Sequence, residues 1–292
     1  MFGMTERLAV HRRSSGMKPL RPALFAIATF GLLLGIVPVT GTAGAVQAWA
    51  PAATATIHPG VMTFTAGAQC TANFIFQDGG GTYIGQAAHC SGTGAATDTN
   101  GCTAASLPLG TAVEVDGAAH PGTLVYNSWL TMQGNGEADP DTCQYNDLAL
   151  VKLDPADVAN VNPSVPRWGG PVAVGGGTAM GDQVYSYGNS SLRFGISQLS
   201  PKTGVSLGDA SGGWTHTVYT VSPGIPGDSG SGFLDASGKA IGVLSTVAIA
   251  PLPASNGVGD LAHELAYLHA HSSFTGVQLV PGDVAFRPGL PL

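Results

Sequence analysis

The chain reads as all-β, in two halves of roughly 90 residues each, with one helix near the C-terminus. Three features of the 292 residues point there. Only 10% are charged, against roughly a quarter in an average soluble domain, which argues against long solvated helices. There are 43 glycines and 20 prolines, so the chain turns often. The apolar residues, 44% of the total, fall in short runs between these turns, as strands require.

Residues 1–22 are basic and polar, and residues 23–39 are an uncharged apolar run. Ala43-Gly44-Ala45 and Val46-Gln47-Ala48 follow as small-residue cleavage candidates. This is the order of a secretory signal peptide, so residues 1–48 are expected to be removed on export. Two other readings are a twin-arginine route through Arg12-Arg13 and an uncleaved anchor, since 17 residues lie at the lower limit for spanning a bilayer. Residues 49–60, rich in Ala, Thr and Pro, read as a linker, a surface-bound arm or a short pro-segment. Loss of the first 48 residues leaves six basic and 17 acidic side chains, a net charge of −11. Such a domain repels phosphate backbones, which excludes nucleic acid as a partner.

Residues 61–160 form the first half. Ala72-Asn73-Phe74-Ile75-Phe76, the turn Gln77-Asp78-Gly79-Gly80-Gly81 and Thr82-Tyr83-Ile84-Gly85 read as strand, turn, strand. Thr123–Tyr126 and Leu148–Leu153 are further strands, and the prolines of 154–170 mark a connector. Residues 161–258 form the second half, with strands at Asp182–Tyr187, Thr215–Val221 and Ala240–Ser245. In the C-terminal segment, 259–292, Leu261, Leu265 and Leu268 share one face of a helix beginning at Asp260.

Cys70, Cys90, Cys102 and Cys143 all follow the signal segment. An even count in an exported chain reads as two disulfides, with three pairings open. Pairing neighbours would close loops worth roughly 3 and 4 kcal/mol on the chain-entropy model. Zinc is disfavoured because no CxxC pair exists. His263, His269 and His271 lack an i, i+4 pair and read as solvated, so no metal or cofactor is expected.

Three segments carry chemistry: Gln86-Ala87-Ala88-His89-Cys90, Asn146-Asp147 before the apolar run to Leu153, and Pro226-Gly227-Asp228-Ser229-Gly230-Ser231-Gly232. Each has a bland reading alone, as a structural histidine, a turn cap and a hairpin loop. Together they supply one reaction. A serine hydroxyl needs a base, a histidine titrates near working pH, and a buried aspartate holds the imidazole tautomer. Glycines beside the serine let the Gly227 and Ser229 N–H groups point at one spot, where an oxyanion would develop.

AAHC, DLALVKL and GDSGSG, in the order His, Asp, Ser and separated by 58 and 82 residues, resemble the chymotrypsin/trypsin-like serine peptidase family. The low charge and exported context are closest in character to its actinobacterial secreted members. The resemblance covers about residues 61–270. It implies two perpendicular antiparallel six-stranded β-barrels with a C-terminal helix, the first over 61–160 and the second over 161–258. It implies a secreted endopeptidase with His89 as base, Asp147 as its orienting acid and Ser229 as nucleophile, acting as a monomer on peptides or proteins. It also implies a Cys70–Cys90 disulfide.

The chain departs from the animal pattern in two ways. Ser231-Gly232 stands where Gly-Pro is usual. No Lys or Arg lies between Arg21 and Lys152, so no tryptic cut upstream of His89 can free an ammonium group for Asp228. Maturation is therefore expected to need only signal removal or trimming of residues 49–60 at a non-basic site. The cation for Asp228 must come from Lys152, Arg167, Arg193, Lys202, Lys239 or Arg287, and Arg193 fits best, as a planar guanidinium on a second-half segment. In the family, the residue six before the nucleophile floors the primary pocket. That residue is Pro223, which attracts no basic side chain. Ser245-Thr246-Val247 resembles the segment that pairs with substrate backbone, Val247 narrows the pocket, and Gly257 is the opposite wall. A neutral, small or medium apolar residue before the cut is implied.

Two rivals remain. Gly227-Asp228-Ser229 with Asp260-Leu261-Ala262-His263 mimics the blocks of SGNH esterases, but there the serine comes early in an α/β chain. GxSxG fails because residue 231 is Ser. A catalytically silent exported protein that keeps the fold to bind peptides or a protein partner is the alternative of another class.

Overall fold

A computed structural model describes residues 48–95, 98–247 and 253–290. The expected signal segment lies, up to residue 47, outside the described residues. The first half holds β1 (Met62–Thr65), β2 (Ala68–Thr71), β3 (Ile75–Asp78), β4 (Gly81–Ala87), β5 (Ala112–Val115) and β6 (Gly122–Asn127). Two short helices, α1 (Ser128–Asn135) and α2 (Pro140–Tyr145), lead into β7 (Leu148–Lys152). The second half holds β8 (Met180–Tyr187), β9 (Pro201–Ala210), β10 (Thr215–Thr220), β11 (Gly232–Asp235), β12 (Ala240–Val247) and β13 (Asn256–Asp260). Helix α3 (Leu261–His271) and β14 (Gln278–Leu279) end the chain.

The second half closes into a six-stranded barrel in the order β10-β13-β12-β11-β8-β9. The first half is an eight-stranded antiparallel sheet, β14-β3-β4-β7-β6-β5-β1-β2, rather than a six-stranded ring. Two features account for the extra strands. The run from Ala72 to Phe76 is not one strand: Asn73 N–H donates to Gly85 O at 2.8 Å, and Gly85 N–H to Phe74 O at 2.9 Å. That tie to β4 splits β2 from β3. The returning tail then covers the free edge of β3, with Gln278 opposite Gln77, which removes an exposed strand edge.

Helix α3 begins as expected, with the Asp260 side chain accepting from His263 N–H at its N-cap. Its buried face, Leu261, Leu265 and Leu268, packs in one cluster with Ala87, Cys90 and Leu148, against the strands that carry the site. Helices α1 and α2 were not expected. Their signals are caps: Asn127 accepts from Leu130 N–H, and Asp139 accepts from Thr142 N–H with Pro140 in the first turn. The arm before β1 is pinned to the first half, with Ile57 fully buried and Ala50 N–H donating to Val161 O at 2.9 Å. The disulfides are Cys70–Cys90 and Cys102–Cys143.

Candidate active site

Adjacent strands bring His89 and Asp147 together. Ala87, at the end of β4, pairs with Leu148, at the start of β7. The residues just beyond these ends, one after β4 and one before β7, are joined by Ala88 N–H to Asp147 O at 2.9 Å. Asp147 is 2% exposed. Its Oδ1 accepts the His89 main-chain N–H at 2.8 Å, and its Oδ2 accepts His89 Nδ1–H at 2.6 Å. Oδ2 also accepts the Ser245 hydroxyl at 2.6 Å. Burial works against the charged imidazole, but the charge and hydrogen bond of Asp147 outweigh it, so the His89 pKa is raised. With Nδ1 committed as donor, Nε2 is the basic nitrogen.

Ser229 lies half-buried in the loop between β10 and β11. Thr71 N–H donates to Ser229 O at 2.8 Å, and Gly230 N–H donates to Leu244 O at 2.7 Å, next to Ser245. Gly230 has φ +87°, and a Cβ there would sit 2.6 Å from Thr71 O and 2.9 Å from Ala87 N. Only glycine lets the loop press this closely against β2 and the His89 end of β4. Among the described residues no hydrogen bond joins Ser229 Oγ to the His89 ring. Such bonds tighten when substrate binds.

The N–H groups of the loop divide in a telling way. Asp228 N–H donates to Ile225 O, Gly230 N–H to Leu244 O and Ser231 N–H to Asp228 O. Gly227 N–H and Ser229 N–H have no acceptor among the described residues. Gly227, at φ +96°, turns the chain so that these two remain available. Its carbonyl is fixed from behind by Thr71 Oγ1 at 2.7 Å and Gln69 Nε2 at 3.0 Å.

Asp228 is fully buried. Its Oδ2 meets Arg193 Nη2 at 2.5 Å and Lys202 Nζ at 3.1 Å. Ser190 and Ile225 N–H groups complete the shell at 3.2 and 3.1 Å. The pairing with Arg193 was expected; the second cation was not. Lys202 is itself buried, with the rest of its ammonium spent on Ser222 O at 3.2 Å and Pro223 O at 3.1 Å. Burial and the neighbouring Arg193 pull its pKa down against the pull of Asp228.

The residues expected to line the substrate pocket fall on both sides of one seam. The Pro223 ring is exposed rather than sealed under a floor, and it is the carbonyl that faces Lys202. A Cβ on Gly224 would lie 3.0 Å from Val247 Cγ2 and 2.6 Å from Asn256 Oδ1, so little space separates these walls. Thr246 pairs with Gly257, where a Cβ would meet Thr246 Oγ1. Asn256, which sequence reasoning missed, accepts from Gly224 N–H at 2.9 Å and donates to Val218 O at 3.2 Å. Away from the site, the C-terminal histidines have separate partners: His263 binds Asp260, His269 binds Val277 O and His271 stacks on Tyr267.

No protein-family model and no curated protein matches the sequence. Among solved structures, Thermobifida fusca protease A aligns at a TM-score of 0.50 with 19% identity, over 77% of this chain and 99% of that one. A glutamic acid-specific serine protease aligns at 0.49 with 16% identity, over 77% and 100%. Nocardiopsis protease aligns at 0.44 with 18% identity, over 76% and 98%. At these identities the likeness is one of fold, and the fold of this chain is that of the chymotrypsin-like serine proteases.

Proposed function

We propose that this chain is a secreted serine endopeptidase that cleaves peptide bonds through Ser229, His89 and Asp147. The observation that carries the reading is the division of labour at Asp147 and in the nucleophile loop. A buried carboxylate holds His89 Nδ1 while Gly227 and Ser229 N–H stay free for an oxyanion. In the reaction, His89 Nε2 takes the Ser229 hydroxyl proton as Oγ attacks the scissile carbonyl. The Asp147 carboxylate stabilises the imidazolium so formed, and the two N–H groups receive the oxyanion. The imidazolium then protonates the leaving amine. Water attacks the acyl-enzyme with His89 again as base, which restores Ser229.

Specificity for a neutral, small or medium apolar residue before the cut follows from the seam. Pro223 brings no carboxylate, Val247 crowds Gly224, and the nearest ammonium, Lys202, is already spent. Because Arg193 and Lys202 hold Asp228 from within the fold, no freed N-terminus is required, and signal removal suffices for maturation. Two disulfides support an extracellular site of action for the monomer. Cleavage profiling on a peptide library tests the reading. Cleavage after small apolar residues, abolished in Ser229→Ala and His89→Ala, is the expected result. Binding without cleavage would favour the silent alternative, and a preference for Arg or Lys would refute the pocket.

A further inference from the structure

Helix α3 brings an acid to the back of the site. The main-chain N–H of Asp147 donates to Glu264 Oε1 at 3.0 Å, and Glu264 is fully buried. Gly259 makes room for it: a Cβ there would lie 2.7 Å from Glu264 Oε1 and 2.9 Å from Tyr145 O. The ionisable groups that face this carboxyl are Asp147 just before β7, Asp260 at the N-cap of α3 and Tyr126 on β6. No salt bridge reaches it among the described residues, and its Oε2 has no hydrogen-bond partner there. A second buried carboxylate beside Asp147, with no cation, would be repelled and desolvated at once.

We propose that Glu264 is a positioning residue for His89 and Asp147: as a neutral carboxylic acid it accepts the Asp147 N–H and fixes where the Asp147 carboxylate meets the imidazole. The neutral form suits the task, since it accepts the N–H without adding charge against Asp147. Burial, with the charges of Asp147 and Asp260, pushes the Glu264 pKa well above the ordinary carboxylate range. The helix face that buries Leu261, Leu265 and Leu268 thus gives the C-terminal segment a second use, as a strut under the dyad.

The inference rests on the peptidase reading, and its test separates the two. Wild type, Glu264→Leu and Glu264→Gln are compared by the rate of Ser229 labelling with a fluorophosphonate from pH 5 to 9. The NMR titration of His89, which needs no activity, is followed in parallel. Displacing a reacting group by about 1 Å costs on the order of 10²-fold, so Glu264→Leu should label about 10- to 100-fold more slowly. It should also lower the His89 midpoint, because the hold of Asp147 on the imidazolium loosens. Glu264→Gln, an uncharged acceptor, should rescue both. A folded Glu264→Leu that labels and titrates like wild type overturns the proposal. So does a Gln variant whose His89 midpoint falls as far as that of Leu, since that reports a lost negative charge. If Glu264→Leu does not fold, the Gln titration decides alone. A wild type that titrates as described but never labels refutes the peptidase reading and leaves the positioning role standing.

Discussion

Replacing Arg193 and Lys202 with methionine, singly and together, probes how the oxyanion loop is held. Three buried charges meet at Asp228: one carboxylate and two cations, a net charge of +1. Losing Lys202 forfeits a hydrogen bond to a charged group, worth about 1.5–3 kcal/mol. It also relieves repulsion from Arg193 and the desolvation of a buried ammonium. The net cost of either single change is therefore about 1 kcal/mol, since Asp228 keeps a partner. The double change strands the carboxylate on two N–H groups, and an unpaired buried charge costs about 3–5 kcal/mol. The two losses are then coupled by roughly 1–3 kcal/mol. For a domain of this size 1 kcal/mol moves Tm by about 2–4 °C, so the double variant should lose roughly 6–20 °C. Turnover should fall little in the singles. In the double it should fall about 10²- to 10³-fold, as when an oxyanion donor is lost. Thermal unfolding and turnover on one peptide, run as a double-mutant cycle, measure this. Additive losses would show that the two cations do not share one carboxylate, and the reasoning would fail.

Three other outcomes follow from the geometry. Activity should rise with pH as His89 loses its proton, with a midpoint above the ordinary histidine value of about 6.5; a midpoint below it would contradict the dominance of Asp147. Gly230→Ala should abolish turnover while leaving the two disulfides in place, because its Cβ would fall 2.6 Å from Thr71 O at φ +87°; an active alanine variant would mean that the loop is not wedged. His216, buried between Asp209 at 2.7 Å and Asp260 at 3.0 Å, has a raised pKa. Burial opposes its charge, but the bonds to Asp260 and Asp209 outweigh it. Its contribution to stability is thus full below the unfolded value of about 6.5 and is lost as pH rises through the folded one. Urea unfolding should show His216→Gln costing more at pH 6 than at pH 9, and an equal cost at both would exclude the charged form.

The parts of the site that could be read from sequence are those in which neighbours along the chain carry the chemistry. His89, Asp147 and the Gly227–Ser229 loop stand in contiguous segments whose residue types have few other joint uses. Arg193 was reachable because a chain with so few cations leaves Asp228 few choices. Gln69, Asn256 and Glu264 were not legible, and Lys202 stood only as one of six candidate cations for Asp228. Their partners lie far away in sequence, as with Asp147 and Glu264, 117 residues apart, and an isolated polar residue does not announce its partner. Ser245 was read as part of a substrate-pairing segment, yet its hydroxyl is bonded to Asp147, a contact that no local pattern encodes. The fold follows the same division. Alternation and turn residues identified β4, β6, β7, β8, β10 and β12, whereas β1, β5, β9, β11 and β13 were not singled out. The Asn73–Gly85 tie that splits β2 from β3 is a long-range choice. So is the return of β14 to the edge of β3.

The most direct test of the triad is mass spectrometry of the purified mature protein after treatment with a fluorophosphonate. A single adduct on the peptide that contains Ser229 is expected. It should be absent in Ser229→Ala and slowed by about 10⁴-fold or more in His89→Ala. Native, folded protein that takes up no label, or that takes it up at another residue while Ser229 stays free, would contradict the claim that Ser229, His89 and Asp147 form a working triad.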